Sequence, residues 1–383
     1  MTLFFAQLLA LAGDVIVFGI AWVGMSLPVQ KLLTYYRRPG AMVAARLKFA
    51  FARASDVALF AGLGLLVSAT GVTDIAAIGI AADASSPIVS GAGVLLAIAI
   101  LLRSSQVPTH AWLLRAVEAP TPVSAVLHAG VVNAGGLLAL RFAPVLAESV
   151  AAMTLLAVVS GVSVLIALGA MAGDNRIKSR LAWSTVAQMG FMLLQCSLGL
   201  FGLALLHIAA HALYKSFAFL NAGTLAPART SAAPSWSGVL VALAIFAVIA
   251  LAAAPMIRLE AASVVIGSIF VIGLGQLGAT AGNASGLLLR AGGSAVATLL
   301  WLGLHEVAWR IVPSAAAQPI VLAVAAVTVG TAAIAALLPR TAFGDLQALK
   351  ALRFHLRNGL YIDLVVERLV QRRSATKPME TAK

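Results

Sequence analysis

Residues 149–172 carry no charged side chain, and similar apolar runs recur along the whole sequence. Backbone inside hydrocarbon must satisfy its own N–H and C=O groups, so runs of this length fold as helices that cross a bilayer. Bounded by glycine, proline and charge, the runs lie at 3–30, 55–71, 87–118, 121–142, 149–172, 181–200, 201–223, 236–257, 260–281, 287–311 and 317–338. The expected fold is all-α: a polytopic transmembrane helical bundle of about eleven spans over residues 1–345. Residues 346–383 form a cytoplasmic amphipathic helix and tail, because 350–373 is too charged to span. Composition agrees. Only 10% of residues are charged against 61% hydrophobic, far from the roughly 25% charged of soluble domains, which excludes a soluble enzyme.

The charge balance of 26 basic to 13 acidic residues reads as basic cytoplasmic loops rather than nucleic-acid binding. Lys31, Arg37, Arg38, Arg46, Lys48 and Arg53 place the segment 31–53 inside, while Asp74 and Asp83 mark 72–86 as an outside loop. The segment 174–180, Arg229 and the arginine-rich tail then fall inside. The expectation is a multi-pass protein of the cell inner membrane, amino terminus outside and carboxyl terminus in the cytoplasm. The start MTLFFAQLLALAGDVIVF has no basic leader and no cleavage site, so it does not read as a removable signal. The lone Cys196 excludes a disulfide framework and reads as a packing residue. No GxxxxGK[ST] loop exists to hold a nucleotide phosphate.

Chemistry is expected where ionisable groups interrupt apolar sequence, since each costs a few kcal/mol in a bilayer. The run 87–118 contains Ser104-Ser105-Gln106-Val107-Pro108, and proline disrupts the turn before it. That predicts a broken helix beside a hydrophilic path, with Arg103 at the break. His128 lies early in the span opened by Pro120-Thr121-Pro122, and Glu118 stands just before that turn. His207, His211 and Lys215 recur at i, i+4 and i+8, on one helix face. Imidazole accepts on one nitrogen and donates from the other near physiological pH. A buried lysine can exchange a proton, whereas arginine stays charged. His128, His207, His211 and Lys215 are therefore read as a proton relay. Arg103 and Glu118 are read as channel residues, with the fixed charge of Arg103 acting on His128 and Lys215. His305, beside Glu306 near a span end, reads as an interfacial or packing residue. No carboxylate or third ligand completes a zinc site in HIAAHALYKS, so no metal and no cofactor is expected.

These residues carry a resemblance. RSSQVPTHAWLLRAVEAPTPVSAVLHAGVVNAGG and DNRIKSRLAWSTVAQMGFMLL followed by HIAAHALYKSFAFLNAG resemble the core of the antiporter-like membrane subunits, over about residues 100–223. That family includes the large distal proton-pumping subunit of respiratory complex I and the Mrp-type sodium/proton antiporters. The resemblance implies a helical bundle with broken helices and a central hydrophilic axis, and it puts His128, His207, His211 and Lys215 at the relay positions. Two departures select a branch: Val23 stands where pumping subunits have a glutamate after the tryptophan, and Arg103 stands in place of a lysine. AWVGMSLPVQKLLTYYRRP, with Trp22 and Ser26, and the terminal FHLRNGLYIDLVVERL look like the DabB family, the membrane subunits of DabA/DabB inorganic-carbon transporters. The match begins near the helix of Trp22, and the family's first spans have no counterpart in this sequence.

The resemblance implies a transport and coupling subunit, not an enzyme. Its partner would be a large soluble DabA-like subunit similar to β-carbonic anhydrases, which carries the zinc. Inward proton flow would drive hydration of CO2 to bicarbonate on that partner. The alternatives are a proton-translocating subunit of an NADH-quinone oxidoreductase-like complex and a cation/proton antiporter; Val23 and Arg103 argue against both. A scaffold with a dead relay is the remaining alternative.

Overall fold

The first apolar run does not form one helix. In a computed structural model of the chain, which describes residues 1–36, 38–83, 85–224, 236–275, 284–312, 314–337 and 347–375, α1 (Thr2–Leu11) stops before Asp14 and α2 (Val15–Leu33) starts after it. Asp14 caps α2 by accepting from the Ile16 amide at 2.7 Å, supplying an acceptor to an otherwise orphaned donor. Asp74 does the same for the helix that follows it, accepting from Ala77 at 2.8 Å. Backbone bonds Val15 N–Thr73 O and Ile75 N–Gly13 O tie the two starts together.

The second correction concerns residues 31–53, expected as a loop. From Pro39, which suits a first helical turn, no further proline intervenes, and α3 (Pro39–Thr70) runs unbroken for 32 residues to Gly71 in the left-handed conformation. At 1.5 Å per residue it is about 48 Å long, longer than the roughly 30 Å hydrocarbon core. Basic side chains therefore sit on a helix, and Lys48 is buried within the bundle.

The chain continues through α4 (Ile75–Ala81) and α5 (Pro87–Arg103) to the predicted break. Ser105 has a φ of 54°, and the Val107 amide donates to Ser163 Oγ at 3.0 Å. The break ends in the short α6 (Ala111–Arg115). A second interruption went unpredicted. Residues 121–142 form α7 (Thr121–Ala129) and α8 (Ala134–Arg141), joined by one 3₁₀ turn after Gly130. The short α9 (Ala143–Glu148) precedes α10 (Val150–Gly173), α11 (Ile177–Ser197) and α12 (Phe201–Leu220). α13 (Trp236–Ala253), α14 (Ala261–Gly275), α15 (Ala284–Ile311) and α16 (Pro319–Leu337) complete the apolar part.

Among the described residues, five helical stretches are long and apolar enough to cross a membrane: α2, α3, the α7–α8 stretch, α10 and α12. Large side chains such as Ile20, Phe60, Val162, Leu213, Phe217 and Leu251 face outward, as a lipid-exposed surface requires and a water-exposed one would not tolerate in bulk. The main core joins α2, α3, α5, α8, α10 and α11 around Phe18, Trp22 and Phe142, and a smaller one joins α13 to α15 around Phe246 and Trp301.

The amphipathic segment is two helices, α17 (Gln347–Arg357) and α18 (Ile362–Ala375), because Gly359, Leu360 and Tyr361 all take positive φ. Gly359 packs so closely on Trp183 that an added Cβ would lie 2.7 Å from its ring. Arg115 pairs with Glu367 at 2.8 Å, so this segment lies on its own bundle. Arg353, Arg372 and Arg373 have side chains outside the described set, and Arg229 lies outside the described residues.

Candidate functional site

The one-face reading of α12 holds, and the surface it meets is α11, its antiparallel neighbour. His207 Nδ1 lies 3.1 Å from Gln195 Oε1, and His211 Nδ1 lies 2.9 Å from Gln188 Oε1. Lys215 donates to the Leu181 carbonyl at 3.0 Å and to the Ser184 hydroxyl. Moving along α12 toward its end thus moves backward along α11, as antiparallel packing dictates. The N-terminus of α11 is fixed by Asp174, which bonds to Arg176 and Ser179. Partial burial opposes the charged form of that carboxyl, yet the Arg176 and Ser179 bonds outweigh it and hold the group below its ordinary range.

His128 joins from α7. Its carbonyl, immediately before the interruption at Gly130, accepts from His211 Nε2 at 3.0 Å. Its ring stacks on Phe219 with centroids 4.3 Å apart, and its Nδ1 lies 3.2 Å from Thr185 Oγ1. His128, His211 and Lys215 are buried and His207 is half-buried. The four predicted relay residues therefore share one buried column, in which His211 bonds to the His128 carbonyl and the His207 and His211 ring centroids lie 6.2 Å apart. Gln188, Gln195, Ser184 and Thr185 were not predicted as members; the signal was their polar spacing within an apolar helix, the same argument that found α12.

His211 is the informative member. A backbone carbonyl only accepts, so Nε2 always carries a proton. With Gln188 presenting its oxygen, Nδ1 donates as well, and only an imidazolium donates from both nitrogens. When His211 is neutral, Nδ1 becomes an acceptor and the Gln188 amide satisfies it by turning its NH2 inward. One glutamine serves both protonation states.

Arg103 and Glu118 do not belong to this column. Arg103 is buried, which excludes an interfacial role, and it donates to the Trp22 carbonyl at 2.6 Å with its guanidinium 4.4 Å from the Trp22 ring centroid. The charges acting on it are Asp56 and Arg53, whereas those acting on His128 are Lys215 and His211. The expected field of Arg103 on His128 and Lys215 is thus corrected: α5 directs the guanidinium toward α2 and α3. Glu118 lies against Gly40 at the start of α3, where Arg38 donates to its carbonyl. A carboxylate there complements a helix N-terminus. His305 donates to or accepts from Ser263 at 2.8 Å beside Trp301, a packing role. No cluster of three histidine, cysteine or acidic side chains able to hold a metal occurs among the described residues.

Broken helices around a buried histidine–lysine column define an antiporter-like membrane subunit. The chain belongs to the family described as NADH:quinone oxidoreductase/Mrp antiporter, transmembrane, whose model matches residues 12–257. The probable inorganic carbon transporter subunit DabB2 of Halothiobacillus neapolitanus is 34% identical over 393 residues, covering 96% of this chain and 71% of that protein. The probable subunit DabB of Hydrogenovibrio crunogenus is 42% identical over 218 residues, 56% of this chain and 42% of that protein. The NADH-quinone oxidoreductase subunit L of Mycobacterium tuberculosis is 34% identical over 235 residues, 59% of this chain and 37% of that one. This chain therefore spans less than half the length of the Hydrogenovibrio and Mycobacterium relatives. The solved Mrp complex of Dietzia sp. shares the fold, with TM-score 0.53 and 23% identity over 97% of this chain and 45% of that chain.

Proposed function

We propose that this chain conducts protons for a membrane complex that takes up inorganic carbon as CO2 or bicarbonate. The observation that carries the reading is the column His207, His211, Lys215 and His128, every member of which has a polar partner that can donate or accept. The inorganic-carbon assignment draws on the two relatives named as such subunits and on Val23 and Arg103 at the positions where pumping subunits carry a glutamate and a lysine. The chain is a coupling subunit; hydration of CO2 belongs to a large soluble zinc-dependent partner resembling carbonic anhydrases. The protein sits in the inner membrane with its amino terminus outside, so that protons moving inward reach the face where such a partner docks.

The test is Lys215→Ala, with the protein co-expressed with its soluble partner in a host lacking carbonic anhydrase. Growth at ambient CO2 should be lost while the variant still inserts in the membrane. Full rescue by the variant refutes the relay. Rescue that depends on an added redox partner would favour the quinone-oxidoreductase alternative.

A further inference from the structure

We propose that Lys48 is a second proton-exchanging group, seated between α2 and α3 and distinct from the column on α12. The proposal rests on the proton-conduction reading above. Sequence reasoning treated Lys48 as one of several loop cations that set topology. It is instead 5% exposed on a helix whose buried face runs through Ala44, Lys48, Ala52, Ser55, Asp56, Leu59 and Leu63.

Its cradle repeats that of Lys215. Lys48 Nζ donates to the Ser26 carbonyl at 2.5 Å and to the Ser26 hydroxyl at 2.6 Å. Lys215 Nζ has one backbone carbonyl, of Leu181, and one serine hydroxyl, of Ser184. The pairing has a chemical consequence. A carbonyl accepts only, but a hydroxyl both donates and accepts. An ammonium donates to both groups. After loss of one proton the amine still donates to the carbonyl and accepts from the hydroxyl with its lone pair. Neither protonation state leaves a buried polar group unpaired, so the exchange avoids the desolvation cost of such a group.

The surroundings suit exchange. The charges acting on Lys48 are Arg103 from α5 and Arg53 and Asp56 from its own helix; α2 contributes Ser26 and Trp22. On α6 and α18, Arg115 and Glu367 pair with each other. Asp56 is paired with Arg53 at 2.7 Å, and neither arginine can release its proton. Lys48 is therefore the exchangeable cation of this group. Ser26 lies seven residues before the end of α2, about 10 Å by helical rise, which places Lys48 between Arg103, held at the Trp22 carbonyl, and the end of α2 that carries Lys31. The bound species is the proton, passed between Nζ and water.

The test reconstitutes the full-length protein in liposomes and reads proton flux with a trapped pH dye, across external pH. Lys48→Arg keeps the charge and removes the exchange; Lys48→Met removes both. Both should lower flux about tenfold, a change of about 1.4 kcal/mol. Ser26→Ala removes only the hydroxyl, and should leave folding intact while altering the pH profile. Parent-like flux and profile in Lys48→Arg overturn the proposal. Should both Lys48 variants fail to fold, an unchanged profile in Ser26→Ala overturns it. Lys215→Met is measured in parallel: if it conducts like the parent, the relay reading fails by itself, and the Lys48 variants still decide this one.

Discussion

Replacing Gln188 with methionine removes the one side chain that can follow His211 through a change of protonation. The shape is nearly kept, so the perturbation is to hydrogen bonding and not to packing. In the parent, the 2.9 Å bond from His211 Nδ1 to Gln188 Oε1 supports the imidazolium, while the 3.0 Å bond from Nε2 to the His128 carbonyl serves either state. A hydrogen bond to a charged group contributes about 1.5–3 kcal/mol. The neutral state loses only its weaker bond to the turned amide, about 0.5–1.5 kcal/mol, so the net loss of about 1–1.5 kcal/mol makes protonated His211 about 5- to 13-fold rarer at fixed pH. If proton transfer passes through that state, flux in Gln188→Met falls by a comparable factor. Gln188→Glu offers an oxygen but no NH2, so it should also slow flux, by holding the proton instead of failing to receive it. Dye-monitored flux in liposomes measures both. Parent-like flux in Gln188→Met refutes the two-state amide; a slow Gln188→Met with a fast Gln188→Glu shows that an acceptor alone suffices.

Two further expectations concern α17 and α18. Arg115→Glu should release α18 from α6 and reduce recovery of a soluble partner on co-purification, and Arg115→Glu with Glu367→Arg should restore part of it; recovery unaffected by the single variant removes the pair from docking. Gly359→Ala forces an alanine into positive φ, at about 1–2 kcal/mol, and against the Trp183 ring, so thermal unfolding should come several degrees earlier, and an unchanged midpoint would show that this contact does not hold α17 in place.

What the sequence made legible follows from periodicity. His207, His211 and Lys215 share a face because 3.6 residues make a turn, and nothing in packing can undo that. Their partners on α11 needed the register of two helices, which no single-chain spacing provides, although Ser184, Gln188 and Gln195 were visible as polar positions in an apolar run. Lys48 was misread for a physical reason. Its basic neighbours match a cytoplasmic loop, and the same residues form the early turns of a 32-residue helix that enters the bundle. The break near Pro108 was predicted from a proline, but the break at Gly130 had only a glycine in a helical pattern, and such glycines are usually tolerated. Arg103 was placed at its break correctly and aimed wrongly, because the direction of a side chain depends on which helices pack around it.

That direction changes what Arg103 can do. Burying a guanidinium costs several kcal/mol even after relaxation, and the structure offsets this locally. The Trp22 carbonyl accepts from it, the Trp22 ring lies 4.4 Å from it, and Asp56 supplies the nearby negative charge. A desolvated cation over an aromatic face contributes about 2 kcal/mol, so Trp22 acts on Arg103 through both its backbone and its ring. A lysine here could lose its proton and with it the need for those partners; an arginine cannot. Position 103 therefore holds one permanent charge against α2 and α3, and the proposed exchange falls to lysines and histidines whose partners accept either protonation state. The division is geometric as well as chemical. The fixed charge ends α5 before the first break, and the histidine–lysine face of α12 reaches the second break through the His128 carbonyl, so each interruption meets a different kind of titratable group.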